Sequence, residues 1–269
     1  MMENIIWLTG MPRSGTTWIS QIFASHPDIR VKFCPLFSYS FKNALDESAT
    51  QAQWQDLFSK VFVTKDEFMD QEHLRKKGLV PAFAKNPDPK TLLIKSNRFH
   101  HLTEGILKKC PDIKFISIVR HPCAVIHSWL SNPLEFPAGE DPKRQWRSGA
   151  CRKTGSGEFW GFDDWKKVSL MHLRLASEWP ARFFIQRYEK FLKDPLKTSQ
   201  VLFDGLDLDL TQATRDFILT SQNRHDNRRR SVFRDPAKLP DWKTGLDQQI
   251  AAQIYTELKD TEFSVFLNE

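Results

Sequence analysis

The sequence predicts an α/β fold with three layers, in which a parallel β-sheet is flanked by helices on both faces. Short, continuous apolar runs are typical of strands that are buried on both sides. Segments with apolar residues at helical spacing lie between these runs, which is the alternation that parallel strands require. The first run also leads directly into a glycine-rich turn, a feature of phosphate-binding α/β domains.

The first strand and its turn lie at the start of the chain. The run Ile5 to Leu8 is apolar, and the turn GMPRSGTTW follows from Gly10 to Trp18. Gly10 and Gly15 have the spacing of a P-loop, but Thr16 stands where that pattern has lysine. Apolar residues then continue at helical spacing: Trp18, Ile19, Ile22 and Phe23. Such a turn exposes backbone N–H groups to an anion, so it predicts phosphate binding.

The next elements continue the alternation. A second strand is predicted near Arg30 to Phe33, followed by a helical insertion at about 34–77 that contains no strand pattern. The third apolar run is Leu92 to Ile94, and the fourth is Phe115 to Val119. A helix follows the fourth run, with one apolar face formed by Val125, Ile126, Trp129 and Leu130.

The segment at about 132–162 interrupts this alternation. It is rich in proline, glycine and charge, and long irregular segments of compact domains are commonly lids or binding loops. A last apolar run, Phe183 to Ile185, and an amphipathic closing helix from Thr244 onward complete the chain. We therefore predict a single domain over residues 1–269.

The composition indicates a globular protein that attracts anions. Hydrophobic residues make up 40% of the chain, charged residues 27%, and the net charge is +6, which steers anionic ligands toward the protein. The four cysteines have no C-x-x-C spacing, which predicts reduced thiols and no metal site. The N-terminus lacks the pattern of a signal peptide, and no window has the ~18 apolar residues of a membrane span. We therefore expect a cytoplasmic protein without a membrane span.

The missing lysine argues against a P-loop kinase or NTPase. In those enzymes the lysine contacts the β- and γ-phosphates, and an acidic residue at a strand end helps to hold Mg²⁺. Here the cation of the turn is Arg13, and the run KFISIV is followed by Arg120. These arginines fit a ligand that carries a phosphate monoester and transfers a group without magnesium.

Four motifs occur in order along the chain. The first is PRSGTTW together with SHPDI, and the others are IVRHPCAVIHSW, RYEKFLKDP and DWKTGL. In this order and with these gaps they resemble the sulfotransferases that use 3′-phosphoadenylyl sulfate (PAPS) as donor. The resemblance covers nearly the whole chain from Gly10 to Leu246, apart from the two insertions. It implies the P-loop-like sulfotransferase fold, transfer of a sulfuryl group to a hydroxyl or amine, and adenosine 3′,5′-bisphosphate (PAP) as product.

The resemblance also implies which residues bind the donor. The 5′-phosphosulfate would lie on the first loop, at Arg13, Ser14, Gly15, Thr16 and Thr17. The 3′-phosphate would lie on Arg120, at a strand end, and on Ser128, in the following helix. Aromatic residues near the adenine would be Trp18 and Tyr188, and Thr220 or Ser221 would contact the base.

A further phosphate contact is implied near the C-terminus. The family has a basic segment before its Asp-Trp-Lys, and this chain reads VFRDPAKLPDWK there. Arg234 is the preferred contact, with Lys238 and Arg230 as alternatives.

The catalytic residues match the family only in part. Arg13 is expected to stabilise charge on the bridging oxygen, and Lys95 to stabilise the sulfuryl group. Where small-molecule relatives have the histidine of Lys-Thr-His, this chain has Asn97, which cannot act as a base. His100 is the preferred base, and the alternatives are His101, Glu72, His73, Glu135 and Asp163. A transfer that depends on positioning and charge stabilisation would need little help from a base.

The acceptor is expected between the two insertions, because ligands of such sheets bind at the carboxyl ends of the strands. A small molecule or saccharide is expected, and a carbohydrate or other hydroxylated metabolite is favoured because the small-molecule histidine is missing. Aromatic residues available for stacking are Phe37, Tyr39, Phe136, Trp146 and Trp160. The remaining alternative is a non-enzymatic protein that binds nucleic acid or anionic polysaccharide through Arg224 to Arg234. It would leave the phosphate loop unexplained, so we expect no nucleic-acid partner.

Overall fold

The structure is a computed structural model, and it describes residues 2–228, 230–233, 235, 237 and 241–268. Its five strands are β1 (Asn4–Thr9), β2 (Ile29–Phe33), β3 (Thr91–Lys95), β4 (Ile113–Val119) and β5 (Phe183–Arg187). They form one sheet in the order β2-β3-β1-β4-β5, and every neighbouring pair is parallel. The predicted fold class and the predicted strand positions are confirmed.

Helices follow the strands and cover the sheet. In chain order the helices of the described ranges are α1 (Thr16–Ser25), α2 (Gln51–Val63), α3 (Glu72–Lys76), α4 (Thr103–Lys109), α5 (Pro122–Leu130), α6 (Pro142–Gln145), α7 (Gly161–Glu178), α8 (Tyr188–Lys193), α9 (Pro195–Gly205), α10 (Gln212–Asn223), α11 (Trp242–Gly245) and α12 (Gln248–Leu258). Short 3₁₀ turns lie at Pro35–Phe37, His100–Leu102, Ala150–Arg152 and Glu262–Phe266.

The two faces of the sheet bury alternate residues of the strands. Ile6 and Leu8 of β1 pack in a cluster with residues of α1, α8, α9 and α10. Trp7, between them, packs on the other face with residues of α2, α4 and α7. This alternation follows from the two-residue period of a strand, and it explains why the strands read as continuous apolar runs.

The two insertions differ in structure. The segment at 34–77 contains α2 and α3, and α2 begins at a capping box in which Thr50 and Gln53 each bond the other's backbone N–H. The segment at 132–162 contains α6 and one 3₁₀ turn and is otherwise irregular. Within the described residues, no helix has the length and apolar character that crossing a bilayer requires.

Candidate active site

A cleft of about 830 Å³ opens at the carboxyl ends of the strands. Every strand leads into its wall: Pro12 and Arg13 come after β1, Cys34 after β2, Lys95 ends β3, Arg120 follows β4 and Tyr188 follows β5. Ligands of parallel sheets bind at this edge. We therefore take the cleft as the candidate active site.

The loop between β1 and α1 has a backbone that few side chains allow. A β-carbon on Gly10, whose φ is 150°, would lie 2.4 Å from the carbonyl oxygen of Ile118, and one on Gly15, at φ 84°, would lie 2.1 Å from the Tyr188 ring. Gly15 is the N-cap of α1, and no side chain caps this helix. The N–H groups of its first turn therefore remain available to an anion.

Two arginines from distant motifs meet at this loop. Arg120 donates from Nη1 to the carbonyl oxygen of Arg13 at 3.0 Å, and its guanidinium carbon lies 4.9 Å from the centre of the Tyr188 ring. Arg13 in turn donates from Nε to Oγ of Ser128 at 3.1 Å. Burial lowers the pKa of Arg120, but a guanidinium stays charged in proteins. Four residues predicted to bind the donor thus form one cluster.

The aromatic end of the cleft is built around Trp18. Its Nε1 donates to Oγ of Ser221 at 2.9 Å, and its ring packs edge-on against Tyr188 and Phe191. Ser221 is 1% exposed and Thr220 is exposed, and neither lines the cleft. Trp18 and Tyr188 do line it, together with Gln222, His225 and Asn227.

Ser14 differs from its neighbours in the loop. Thr16 and Thr17 line the cleft, whereas the Ser14 side chain is 1% exposed and lines a small gap beneath the loop, beside His172. Of the three loop residues with hydroxyls that were expected to bind the phosphosulfate, Ser14 therefore does not present its hydroxyl to the cleft. The reason is that the tight turn directs its side chain into the core.

Lys95 provides a buried cation at the floor of the cleft. Its side chain is 2% exposed, and its ammonium nitrogen lies 4.3 Å from the centre of the Phe33 ring. Burial lowers its pKa to about 8. Asn97 also lines the cleft, and its Oδ1 accepts a hydrogen bond from Sγ of Cys34 at 3.8 Å.

His100 lies behind the cleft and not in its wall. Its side chain is 1% exposed, its Nδ1 lies 3.3 Å from Oγ1 of Thr9, and its ring contacts Phe159 and His172. Burial lowers its pKa to about 3. The expectation that His100 faces the cleft as a base is therefore not met. The chain turns at Phe99, whose φ is 59°, and the histidine ring enters the core.

The other predicted proton acceptors fall into two groups. Glu135 and His73 line the cleft, whereas His101, Glu72 and Asp163 do not. Oε2 of Glu135 lies 3.4 Å from Nη1 of Arg13. Among the described residues that line the cleft, Glu135 is the one carboxylate.

Several cleft residues were not identified from the sequence. Arg98 lines the cleft, pairs with the buried Glu158 and lies over the Phe37 ring. Arg152 also lines it, and its buried Nε has no hydrogen-bond partner among the described residues. Arg98 lies just after a predicted strand, and this position could have identified it as a cleft residue. Arg152 lies in the irregular insertion, where no sequence pattern indicates its position.

The end of the cleft next to the insertions is aromatic and apolar. We call it the aromatic wall, and it consists of Phe33, Phe37, Phe68, Leu134, Phe159 and Trp160. Of the aromatic residues proposed for stacking, Phe37 and Trp160 belong to it. Tyr39, Phe136 and Trp146 do not line the cleft.

The C-terminal phosphate contact was placed at Arg234. Arg234 and its alternative Lys238 lie outside the described residues, whereas Arg230 lines the cleft. Within the part of the chain that the structure describes, no group of three or more His, Cys, Asp or Glu side chains is arranged to hold a metal ion.

Residues 6–212 match the protein-family model described as "Sulfotransferase family". A putative protein-tyrosine sulfotransferase of Caenorhabditis briggsae is 27% identical over 217 residues, which cover 78% of this chain and 68% of that protein.

Two solved structures have a similar fold. One is a mouse sulfotransferase complexed with PAP, at a TM-score of 0.58 and 16% identity, with 98% of this chain and 87% of that chain covered. The other is a sulfotransferase from Alicyclobacillus acidocaldarius, at a TM-score of 0.53 and 10% identity, with 100% and 98% covered.

Proposed function

The chain belongs to the sulfotransferase family, and from this premise we propose that it transfers a sulfuryl group from PAPS to a hydroxyl or amine of an acceptor. PAP would be the second product. The mouse sulfotransferase of similar fold was solved with PAP, which supports the same donor here. The observation that carries the proposal is the cluster in which Arg13 bonds Ser128 and Arg120 bonds the backbone of Arg13.

The residues of this cluster suit a ligand with two separate anionic groups. The first turn of α1 has no side-chain cap, and Arg13 lines the same cleft as Thr16 and Thr17, so together they would hold the 5′-phosphosulfate. Arg120 and Ser128 would hold the 3′-phosphate. Because Gly15 has no side chain, the Tyr188 ring approaches the loop closely. Tyr188 and Trp18 both line the cleft, and they would contact the adenine. Arg234 stays a proposed 3′-phosphate contact.

Two cations are assigned to the reacting group. As the bond between sulfur and the bridging oxygen breaks, negative charge grows on that oxygen, and Arg13 would stabilise it. Lys95 would stabilise the oxygens of the sulfuryl group, because its buried ammonium lines the same cleft. Fixed charges in a site of low dielectric act more strongly than the same charges in water.

We propose a carbohydrate or other hydroxylated metabolite as the acceptor, bound against the aromatic wall. Phe37 and Trp160 offer flat faces on which the apolar side of a sugar ring or an aromatic ring would pack. The cytoplasmic location stays a prediction, and the four free cysteines are in keeping with a reducing compartment.

The experiment is a transfer assay with PAPS and a panel of acceptors. The panel contains a methyl hexoside, a primary alcohol, a phenol and an amine, and the products are detected by mass as sulfate esters or sulfamates together with PAP. We expect PAP release together with one sulfated product. A protein that neither binds PAP nor releases it from PAPS would overturn the proposal.

A further inference from the structure

We propose that Glu135 is the catalytic residue that takes the proton from the acceptor hydroxyl. This inference rests on the proposed function, and it fills the role for which His100 was expected. The general base of a transfer must reach the reacting atoms, so the candidates are the titratable side chains of the cleft wall.

The charges of the cleft wall single out this carboxylate. The described lining includes the cations Arg13, Lys95, Arg98, Arg120, Arg152 and Arg230, and one acidic side chain, Glu135. An arginine is a donor that does not deprotonate in proteins, whereas an ionised carboxylate is purely an acceptor. One acidic side chain among the six cations of the described lining indicates where the proton of an acceptor hydroxyl would go.

Glu135 also contacts Arg13 and shares the cleft with Lys95, the two cations assigned to the transferred group. Its Oε2 is 3.4 Å from Nη1 of Arg13, and its charge acts on the buried ammonium of Lys95. The same Oε2 is buried and accepts no hydrogen bond from the described residues. Buried acceptors are normally bonded, so this oxygen is available to a hydroxyl of the acceptor.

The backbone holds Glu135 in this place. Its N–H donates to the carbonyl oxygen of Asn132 at 2.9 Å, and its carbonyl oxygen accepts from Nε1 of Trp129 at 3.4 Å. Asn132 also accepts the N–H of Leu134 through Oδ1 at 3.2 Å. The turn after α5 is thus fixed on both sides of Glu135.

The histidines of the cleft are less well placed. His225 uses both ring nitrogens, Nε2 with Asn227 at 2.6 Å and Nδ1 with the N–H of Asp235 at 3.3 Å. His127 lies against α11 beside Gly245, and burial together with Arg120 lowers its pKa. His73 lies on α3, and no contact joins it to Arg13 or Lys95 among the described residues.

The oxygen of the acceptor hydroxyl forms a bond to sulfur, and the bond from sulfur to the bridging oxygen of PAPS breaks. The electron pair of that bond leaves with PAP, whose new charge Arg13 stabilises. The hydroxyl proton passes to the Glu135 carboxylate and then to water. No oxidant or metal is needed.

The test compares E135Q with E140Q, using two acceptors of different acidity. Glu140 is an exposed carboxylate of the same insertion, and it does not line the cleft. Glutamine keeps the size of glutamate but takes no proton. With a methyl hexoside we expect kcat of E135Q to fall about 100- to 10,000-fold, whereas PAP affinity by calorimetry stays within about threefold. With p-nitrophenol, which is already acidic, the loss shrinks to less than about tenfold because a good acid needs little help from a base. E140Q stays within a few-fold of wild type with both acceptors.

A structural role for Glu135 would lower both rates equally, and this result would overturn the assignment. An E135Q enzyme with full activity, or an equally large loss in E140Q, would also overturn it. In each of these cases the wild type is active, so the proposed function stands. A wild type that neither binds PAP nor releases it from PAPS would overturn both.

Discussion

Arg13 and Ser128 are joined by a hydrogen bond of 3.1 Å from the arginine Nε to the serine Oγ, across 115 positions of the sequence. The same guanidinium lies 3.4 Å from Glu135. Arg13 therefore links the phosphate loop, the helix after β4 and the irregular insertion at one point. A donor that binds here meets groups from all three.

Replacement of Arg120 with alanine should weaken PAP binding and spare the fold. A hydrogen bond to a charged group contributes about 1.5–3 kcal/mol, so we expect the Kd for PAP to rise about 10- to 100-fold. Calorimetry on R120A measures this, and R144A, which removes an arginine that is 86% exposed, is the control. An unchanged affinity in R120A would place the 3′-phosphate elsewhere.

Gly15→Ala should disrupt the phosphate loop. The new β-carbon would lie 2.1 Å from the Tyr188 ring at a φ of 84°, and the left-handed backbone alone costs a non-glycine residue roughly 1–2 kcal/mol. We expect a lower unfolding temperature and loss of PAP binding. Gly105→Ala is the matched control, because no atom lies within 4 Å of its β-carbon and alanine favours a helix by about 0.5–1 kcal/mol. Equal behaviour of the two variants would contradict the geometry of the loop.

Glu158→Gln should impair the acceptor side of the cleft alone. Glu158 pairs with Arg98 and accepts from the N–H and hydroxyl of Thr154, which fastens the end of the insertion to the strand edge. We expect KM for the acceptor to rise, an unfolding free energy lower by about 1–3 kcal/mol, and an unchanged Kd for PAP. Glu178→Gln, at an exposed pair with Arg174, should cost less than about 1 kcal/mol. A weaker affinity for PAP in E158Q would contradict this prediction, because it would show that Glu158 also supports the donor side of the cleft.

Acid should destabilise the protein through its buried histidines. Burial lowers the pKa of His100 to about 3 and that of His172 well below its usual value. Below about pH 6.5 the unfolded chain therefore binds protons that the folded chain does not, and unfolding becomes easier by about 1.4 kcal/mol per pH unit for each histidine. We expect the unfolding temperature to fall steadily between pH 6 and pH 4, and the slope to be shallower in H100L. The same slope in wild type and in H100L would exclude His100 as a cause.

Local patterns predicted the fold, because the central strands β1, β3 and β4 are largely buried apolar runs and helices follow the strands. The motifs also predicted Arg13, Arg120 and Ser128 as donor-binding residues, and the structure places these three in contact. The directions of single side chains were not predictable. Ser14 and His100 turn into the core because of the backbone dihedral angles around them, which no periodicity encodes.

The sequence also did not distinguish Glu135 from the other candidate bases. It was one of several carboxylates and histidines in irregular segments, and nothing in its neighbours distinguished it. Its contact with Arg13 depends on how the chain turns after α5, where Asn132 and Trp129 bond its backbone. The choice among these candidates required the three-dimensional arrangement of charges in the cleft.

The most direct test of the central claim is calorimetry of the wild type with PAP, adenosine 5′-monophosphate, and ATP with magnesium. We expect PAP to bind at least about tenfold more tightly than the monophosphate, because the 3′-phosphate adds charge-assisted hydrogen bonds at Arg120 and Ser128. We also expect ATP with magnesium to bind more weakly than PAP. Binding of ATP with magnesium as tight as that of PAP would contradict the proposed donor site.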